Sequence, residues 1–224
     1  MTTPQRSRSE LVDTDDPGIV QIHEWAARAT NPVELLPANR AAGERALLAL
    51  QVTSRSPLGA IALKTGGILV DGGWVRILGS GCSRLPRAID SWNGLGGALR
   101  LPRALLVGDD AVGGFFALNG GGIPGEQEHV FYFAPDSLAW EDVAASYSDW
   151  IWKMFTMDLG VFYADARWPS WRNDVAALAG DEAFSIHPFL FAAGPPVAER
   201  SRRPVAIDEL FGLHVTELPQ RLRR

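Results

Sequence analysis

The sequence predicts an α+β domain: a central antiparallel sheet of about five strands with helices packed against it. Three observations lead to this class. Within residues 103–134, three short apolar runs (103–107, 112–118 and 130–134) are separated by Gly-Asp-Asp and Asn-Gly-Gly-Gly, the pattern of strands joined by turns. Upstream, the runs 68–70 and 74–78 flank Asp71-Gly72-Gly73, a hairpin whose glycines supply positive φ. Helical periodicity brackets these runs on both sides, and the spacing between runs within 68–78 and within 103–134 is hairpin-length. Strand side chains alternate, so Phe115 and Ala117 face one way and Phe116 and Leu118 the other. In the last run Phe131 and Phe133 oppose Val130, Tyr132 and Ala134. Both faces of the sheet are apolar and both need cover.

Each element has a local reason. Asp16-Pro17 reads as an N-cap followed by a first-turn proline, with Ile19, Ile22, Ala26 and Ala29 at helical spacing and Trp25 at the edge of that face. Thr30-Asn31-Pro32 ends the helix, because proline disfavours helical geometry in the residue before it. A second helix covers 38–51, weakened by Gly43. Ser56-Pro57 repeats the cap-then-proline signature, and Gly66-Gly67 reads as the left-handed terminus of that helix. Residues 79–102, rich in Gly, Ser, Arg and Pro, form the longest irregular stretch of the first half, a length that marks a functional or mobile loop. Residues 135–142 read as a turn and approach segment. Ser146-Tyr147-Ser148-Asp149 resembles a capping box. It opens a helix whose face is Tyr147, Trp150, Ile151, Met154 and Phe155, with an Asp149–Lys153 pair in the favoured orientation and Trp152 off the face. Further helical segments are expected at 159–165, 171–178 and near 207–211, and an edge strand at 184–191, where Pro188 forbids a central position.

The chain has 224 residues and 24.3 kDa, which suits one domain: a polar N-terminal stretch 1–10, a core 56–157 and a C-terminal helical or irregular extension 158–224. Cys82 is the sole cysteine, so no intrachain disulfide forms. With no secretory signal in 1–10 and no apolar run of membrane length, a cytoplasmic location is expected. The net charge of −5 and pI near 5.4 argue against a general nucleic-acid binder. The arginines at 200, 202, 203, 221, 223 and 224 read as a solvated tail.

Gly108–Gly122 lacks the helix and the lysine that a phosphate loop needs, so its glycines serve turns and close backbone approach. Asp109 and Asp110 read as turn residues, as does Asp71. His23, His129, His187 and His214 show no metal-ligand spacing, and His187 is expected to be packed. Cys82, beside Arg84 and Arg87, reads as incidental, because no helix starts there to lower its pKa. The eight tryptophans read as core packing, with a recognition surface as the alternative. No metal or cofactor is expected.

Two blocks carry a resemblance. Residues 56–78 give a helix, Gly-Gly and a hairpin. Residues 105–155 give a strand, a Gly-Asp-Asp turn, an aromatic strand, a glycine turn, a Val-Phe-Tyr-Phe strand and a Ser-Tyr-Ser-Asp-Trp helix. Their order resembles the SUKH superfamily of cell-wall regulators and toxin-immunity proteins. Over nearly its full length the chain is similar to an uncharacterised bacterial family known only by a domain-of-unknown-function label. The stretches TNPVELLP, SPLGAI, DDAVGGFFALNGG, YFAPDSL and SRRPVAI carry that likeness. The SUKH resemblance implies a SUKH-like sheet, no catalytic residues, and action by binding another protein, such as a toxin. The expected partner surface runs along the hairpin turns, around Asp71, Trp74, Asp109, Asp110 and Asn119, where acidic groups steer a basic partner and Trp74 anchors it. The competing expectation is a small-molecule binder or enzyme using the Asp109/Asp110 turn and the 79–102 loop.

Overall fold

The computed structural model describes residues 5–15 and 17–219. Asp16, the expected first N-cap, and Arg221, Arg223 and Arg224 of the basic tail lie outside them. A short helix α1 (Arg8–Leu11) and α2 (Ile19–Ala27) precede strand β1 (Val33–Pro37), followed by α3 (Arg40–Leu50) and α4 (Pro57–Lys64). Strands β2 (Thr65–Val70) and β3 (Val75–Leu78), helix α5 (Ile89–Asn93), and strands β4 (Ala104–Asp110), β5 (Phe115–Asn119), β6 (Val130–Ala134) and β7 (Ala139–Ala144) follow. The chain then forms α6 (Tyr147–Thr156), α7 (Leu159–Phe162), α8 (Trp171–Ala176), β8 (Glu182–His187), β9 (Ser201–Ala206) and α9 (Ile207–Phe211).

The antiparallel sheet has seven strands in the order β1 to β7, each paired to the next in sequence, and β8–β9 form a separate two-stranded sheet. Five of the seven were expected. The additions, β1 and β7, are the two edges. Their alternation is incomplete because an edge strand buries less of itself: β7 shows only Ala144 fully buried, and β1 only Leu36.

Several local expectations hold. Ser56 caps α4 by accepting from the Gly59 amide (3.1 Å), with Pro57 in the first turn. Ser146 caps α6 by accepting from the Asp149 amide (3.1 Å), while the Asp149 carboxylate reaches back to the Ala145 amide (3.1 Å). Asp149 and Lys153 pair at 2.9 Å. Trp152, off the buried face of α6, packs edge-on against Trp25 at 6.1 Å.

Others are corrected. Helix α2 starts after Gly18, two residues later than the Asp-Pro signature implied. Gly66-Gly67 does not end a helix. It lies inside β2, where a Cβ at Gly66 would sit 2.6 Å from the Pro37 carbonyl oxygen, so the glycine serves strand-to-strand approach. Gly108-Asp109-Asp110 belongs to strand β4, and the turn falls one step later, at 111–114. The 79–102 stretch is a packed connection carrying α5. Asn93 locks it to β4 by exchanging hydrogen bonds with the Leu106 backbone (2.7 and 2.8 Å). The edge strand expected at 184–191 stops at His187, before Pro188. His187 is exposed; the packed histidine is His214, whose Nδ1 lies 3.1 Å from the Gly113 carbonyl oxygen.

Both sheet faces are covered, as the alternation required. On one side α2, α4 and α6 pack together, and Phe116 meets Trp150 at 5.1 Å between ring centroids. On the other, Phe115 meets Phe211 of α9 at 5.1 Å, and Arg100 bridges Trp92 of α5 (3.9 Å) and Phe211 (5.3 Å). Among the described residues no helix is long and apolar enough to cross a membrane.

Candidate functional site

The five residues expected on a partner-facing surface are all buried. Trp74, Asp109 and Asp110 have no exposed area, Asn119 has 1% and Asp71 has 7%. The expectation of exposure fails because the chain supplies each of them with an internal partner.

Asp109 and Asp110 are successive strand residues, so they point to opposite faces of the sheet. On one face Asp109 accepts from Arg76 Nε (2.6 Å), directly across from it on β3, and from both terminal nitrogens of Arg87. Arg76 also donates to the Asp110 carbonyl (3.0 Å) and to the Glu182 carbonyl, and Arg87 donates to the Gly180 carbonyl (3.0 Å). This network ties β3, β4 and the approach to β8 together. Burial pushes the Arg76 pKa down, and the Asp109 charge opposes that shift. On the other face Asp110 accepts from the Tyr132 hydroxyl (2.6 Å) and from the amides of Val112 and Gly114 (both 2.9 Å). Burial raises its pKa, while these donors act to lower it. A Cβ at Gly114 would lie 2.3 Å from both the Asp110 carboxylate and the Tyr132 hydroxyl, so only glycine allows that turn.

The other three are structural as well. Asn119 Nδ2 donates to the Ile123 and Glu126 carbonyls (2.9 and 3.0 Å) and its Oδ1 accepts from the Gly121 and Ile123 amides (2.8 and 3.0 Å), which shapes the 120–128 loop. Asp71 pairs with Arg167 at 2.8 Å. Trp74 is surrounded by Tyr163, Trp168 and Trp171 at 5.1–5.9 Å, and the Arg167 guanidinium lies over it at 4.7 Å. The two arginines beside Cys82 are paired elsewhere, Arg84 with Glu34 and Arg87 with Asp109.

The open feature nearest this interior is a cleft of about 670 Å³ on the Asp110 side of the sheet. Its floor is Tyr132 and Tyr163, its walls include Phe162, Arg167, Leu190 and Arg200, and Val161 stands 73% exposed at its mouth. The rim carries Asp136, Glu141 and Asp165, all exposed. Arg200 donates to the carbonyls of Pro188, Phe189, Ala192 and Pro195, so it holds the 188–196 loop against the cleft. Arg202 lies over Trp168 at 4.5 Å, so neither arginine belongs to a solvated tail. A smaller cavity of about 320 Å³ lies over Arg76, near Gly72-Gly73 and Arg84. Sequence reading missed the cleft because its residues come from three separate segments, and each is an ordinary loop residue on its own.

The model of a protein family described as "Protein of unknown function DUF2625" matches residues 8–210. The chain belongs to the DUF2625 family. The full-length likeness expected from the sequence is thereby shown. This DUF2625 chain is 42% identical over 206 residues to "Putative uncharacterized protein YbfG" of Escherichia coli (strain K12), covering 92% of the chain and 94% of that relative. It is 32% identical over 203 residues to an "Uncharacterized protein" of Haemophilus influenzae (strain ATCC 51907 / DSM 11121 / KW20 / Rd), covering 89% of the chain and 85% of that relative. No solved structure matches the DUF2625 chain.

Proposed function

We propose that this DUF2625 chain is a non-catalytic, cytoplasmic protein-binding module, of the kind the SUKH immunity proteins exemplify, and that it engages its partner at the Tyr132–Arg200 cleft. The observation that carries the reading is how the charged groups are used. Asp109, Asp110, Arg76 and Arg87 are buried and bound to one another or to the backbone. A general acid or base needs reach to a substrate proton, and these groups are turned inward. Free polar groups and exposed apolar surface instead meet at the cleft, where Val161 and the rim carboxylates flank an aromatic floor. Apolar and aromatic surface rimmed by polar groups is the anatomy of a recognition site.

The test is capture from native cytoplasm on the immobilised chain, with the neighbouring gene's product as first candidate, followed by titration calorimetry of the purified pair. The reading expects a saturable complex of fixed stoichiometry. Retention of a small molecule in place of any protein would favour the rival reading, a ligand-binding protein or enzyme; the cleft falls within the usual size of such sites.

A further inference from the structure

We infer that the cleft takes a segment of a partner protein bearing a lysine or arginine side chain, its cation among Asp136, Glu141 and Asp165 and a neighbouring backbone carbonyl on Arg167. This rests on the protein-binding reading above and names the chemistry of the partner.

The cleft's cations are already engaged and its anions are not. Its two cations have partners: Arg200 is bound to four backbone carbonyls, and the charge of Arg167 is met by Asp71 at 2.8 Å. Its three anions are not balanced. The Asp136 and Asp165 side chains make no hydrogen bond or ion pair with any described residue, and Glu141 accepts only from the Ser137 hydroxyl (2.8 Å). The face of an aromatic ring attracts cations, so Phe162, the partly exposed ring of the lining, favours the same occupant as the carboxylates. A basic side chain with an apolar stem also suits the exposed Val161 and the Leu190 wall.

The Arg167 side chain is nine-tenths buried and lines the cleft. Its guanidinium is fixed over the rings of Trp171 (4.1 Å) and Trp74 (4.7 Å). Apart from the Asp71 ion pair it makes no hydrogen bond with any described residue; its Nε and Nη2 are sealed inside the protein, which leaves Nη1 as the donor that faces the cleft. An immobilised guanidinium with donor capacity left in a cleft wall asks for an acceptor. Since Asp71 already neutralises it, a neutral acceptor such as a peptide carbonyl is sufficient.

The experiment is an NMR titration of the full ¹⁵N-labelled chain with Ac-Gly-Leu-Arg-Gly-NH₂, its citrulline counterpart, and free agmatine. The inference expects the arginine peptide to shift amides in 161–167 and 197–198 together with the Arg167 guanidinium resonances. The citrulline peptide should bind roughly fivefold more weakly or worse. The triple variant Asp136→Asn, Glu141→Gln, Asp165→Asn should bring the arginine peptide down to the citrulline level with thermal stability unchanged. Equal binding of the two peptides, shifts confined to another surface, or an indifferent triple variant would overturn it. Agmatine binding tighter than the peptide would assign the cleft to a free amine and overturn the docking. The two readings can fail separately. A captured partner that binds the triple variant as well as the native chain removes the cleft assignment and leaves protein binding intact. Failure to capture any protein, with the peptide result in hand, removes the protein partner and leaves only the preference of the cleft for a cation beside a peptide carbonyl.

Discussion

Asp109 sits between two guanidinium groups with none of its surface in water. Asp109→Ala would leave Arg76 and Arg87 buried with no counter-charge, a change that typically costs about 3–5 kcal/mol. Urea unfolding should show that loss, and a cost within ~0.5 kcal/mol of zero, usual for an exposed turn residue, would contradict the buried network. The sequence showed that Asp109 and Asp110 are adjacent, and so could not both point at one ligand. It did not show their burial, because the partners Arg76 and Arg87 lie 33 and 22 residues away and arginine is usually a surface residue. His214 gives a second test at this scale. Burial lowers its pKa below the usual 6.5, with the Gly113 carbonyl opposing. The folded chain therefore resists a proton that the unfolded chain accepts. The corresponding stability is present in full above about pH 6.5 and is lost as pH falls from there through the folded value. The difference in unfolding free energy between the native chain and His214→Gln should narrow on acidification over that interval, and a difference independent of pH would contradict this placement.

At the scale of elements, helix starts were legible wherever the signal is local. Ser56-Pro57 and Ser146 each place a hydroxyl to accept from the amide three residues on, and the structure uses both. Ser146→Ala should destabilise the protein by about 1 kcal/mol, read as a lowered denaturant midpoint with unchanged slope; no shift would mean the Ser146 cap contributes nothing to stability. Edge strands were not legible. In β7 the run Ala139–Ala144 contains Glu141 and Asp142 and leaves three residues exposed, so its pairing with β6 is decided by tertiary contact and not by its own pattern. Strand β9 lies in what was expected to be a helical or irregular extension; its Pro204 is accommodated because the two-stranded sheet leaves an outer edge on which a missing amide is tolerated. The Gly66-Gly67 pair shows the reverse error: a strong local signal for a helix end was in fact a requirement for close strand approach.

For the whole molecule, the C-terminal third is part of the same packed body as the sheet. The Phe184 amide donates to the Ala111 carbonyl (2.8 Å), Arg76 and Arg87 reach the backbone of 180–182, and Phe115 packs on Phe211. This arrangement closes one side of the sheet and leaves the cleft on the other, between the 161–167 and 190–200 segments. None of that was legible in the sequence, because a cleft is a property of how distant loops converge. The central claim is that buried charge holds the fold while recognition happens at the cleft. Hydrogen–deuterium exchange on the complex with the captured partner tests it most directly. The account predicts protection concentrated in 161–167 and 194–200, with the amides around Asp71, Asp109 and Asn119 unchanged. Protection centred on those three positions, with the cleft segments exchanging as in the free chain, would contradict it.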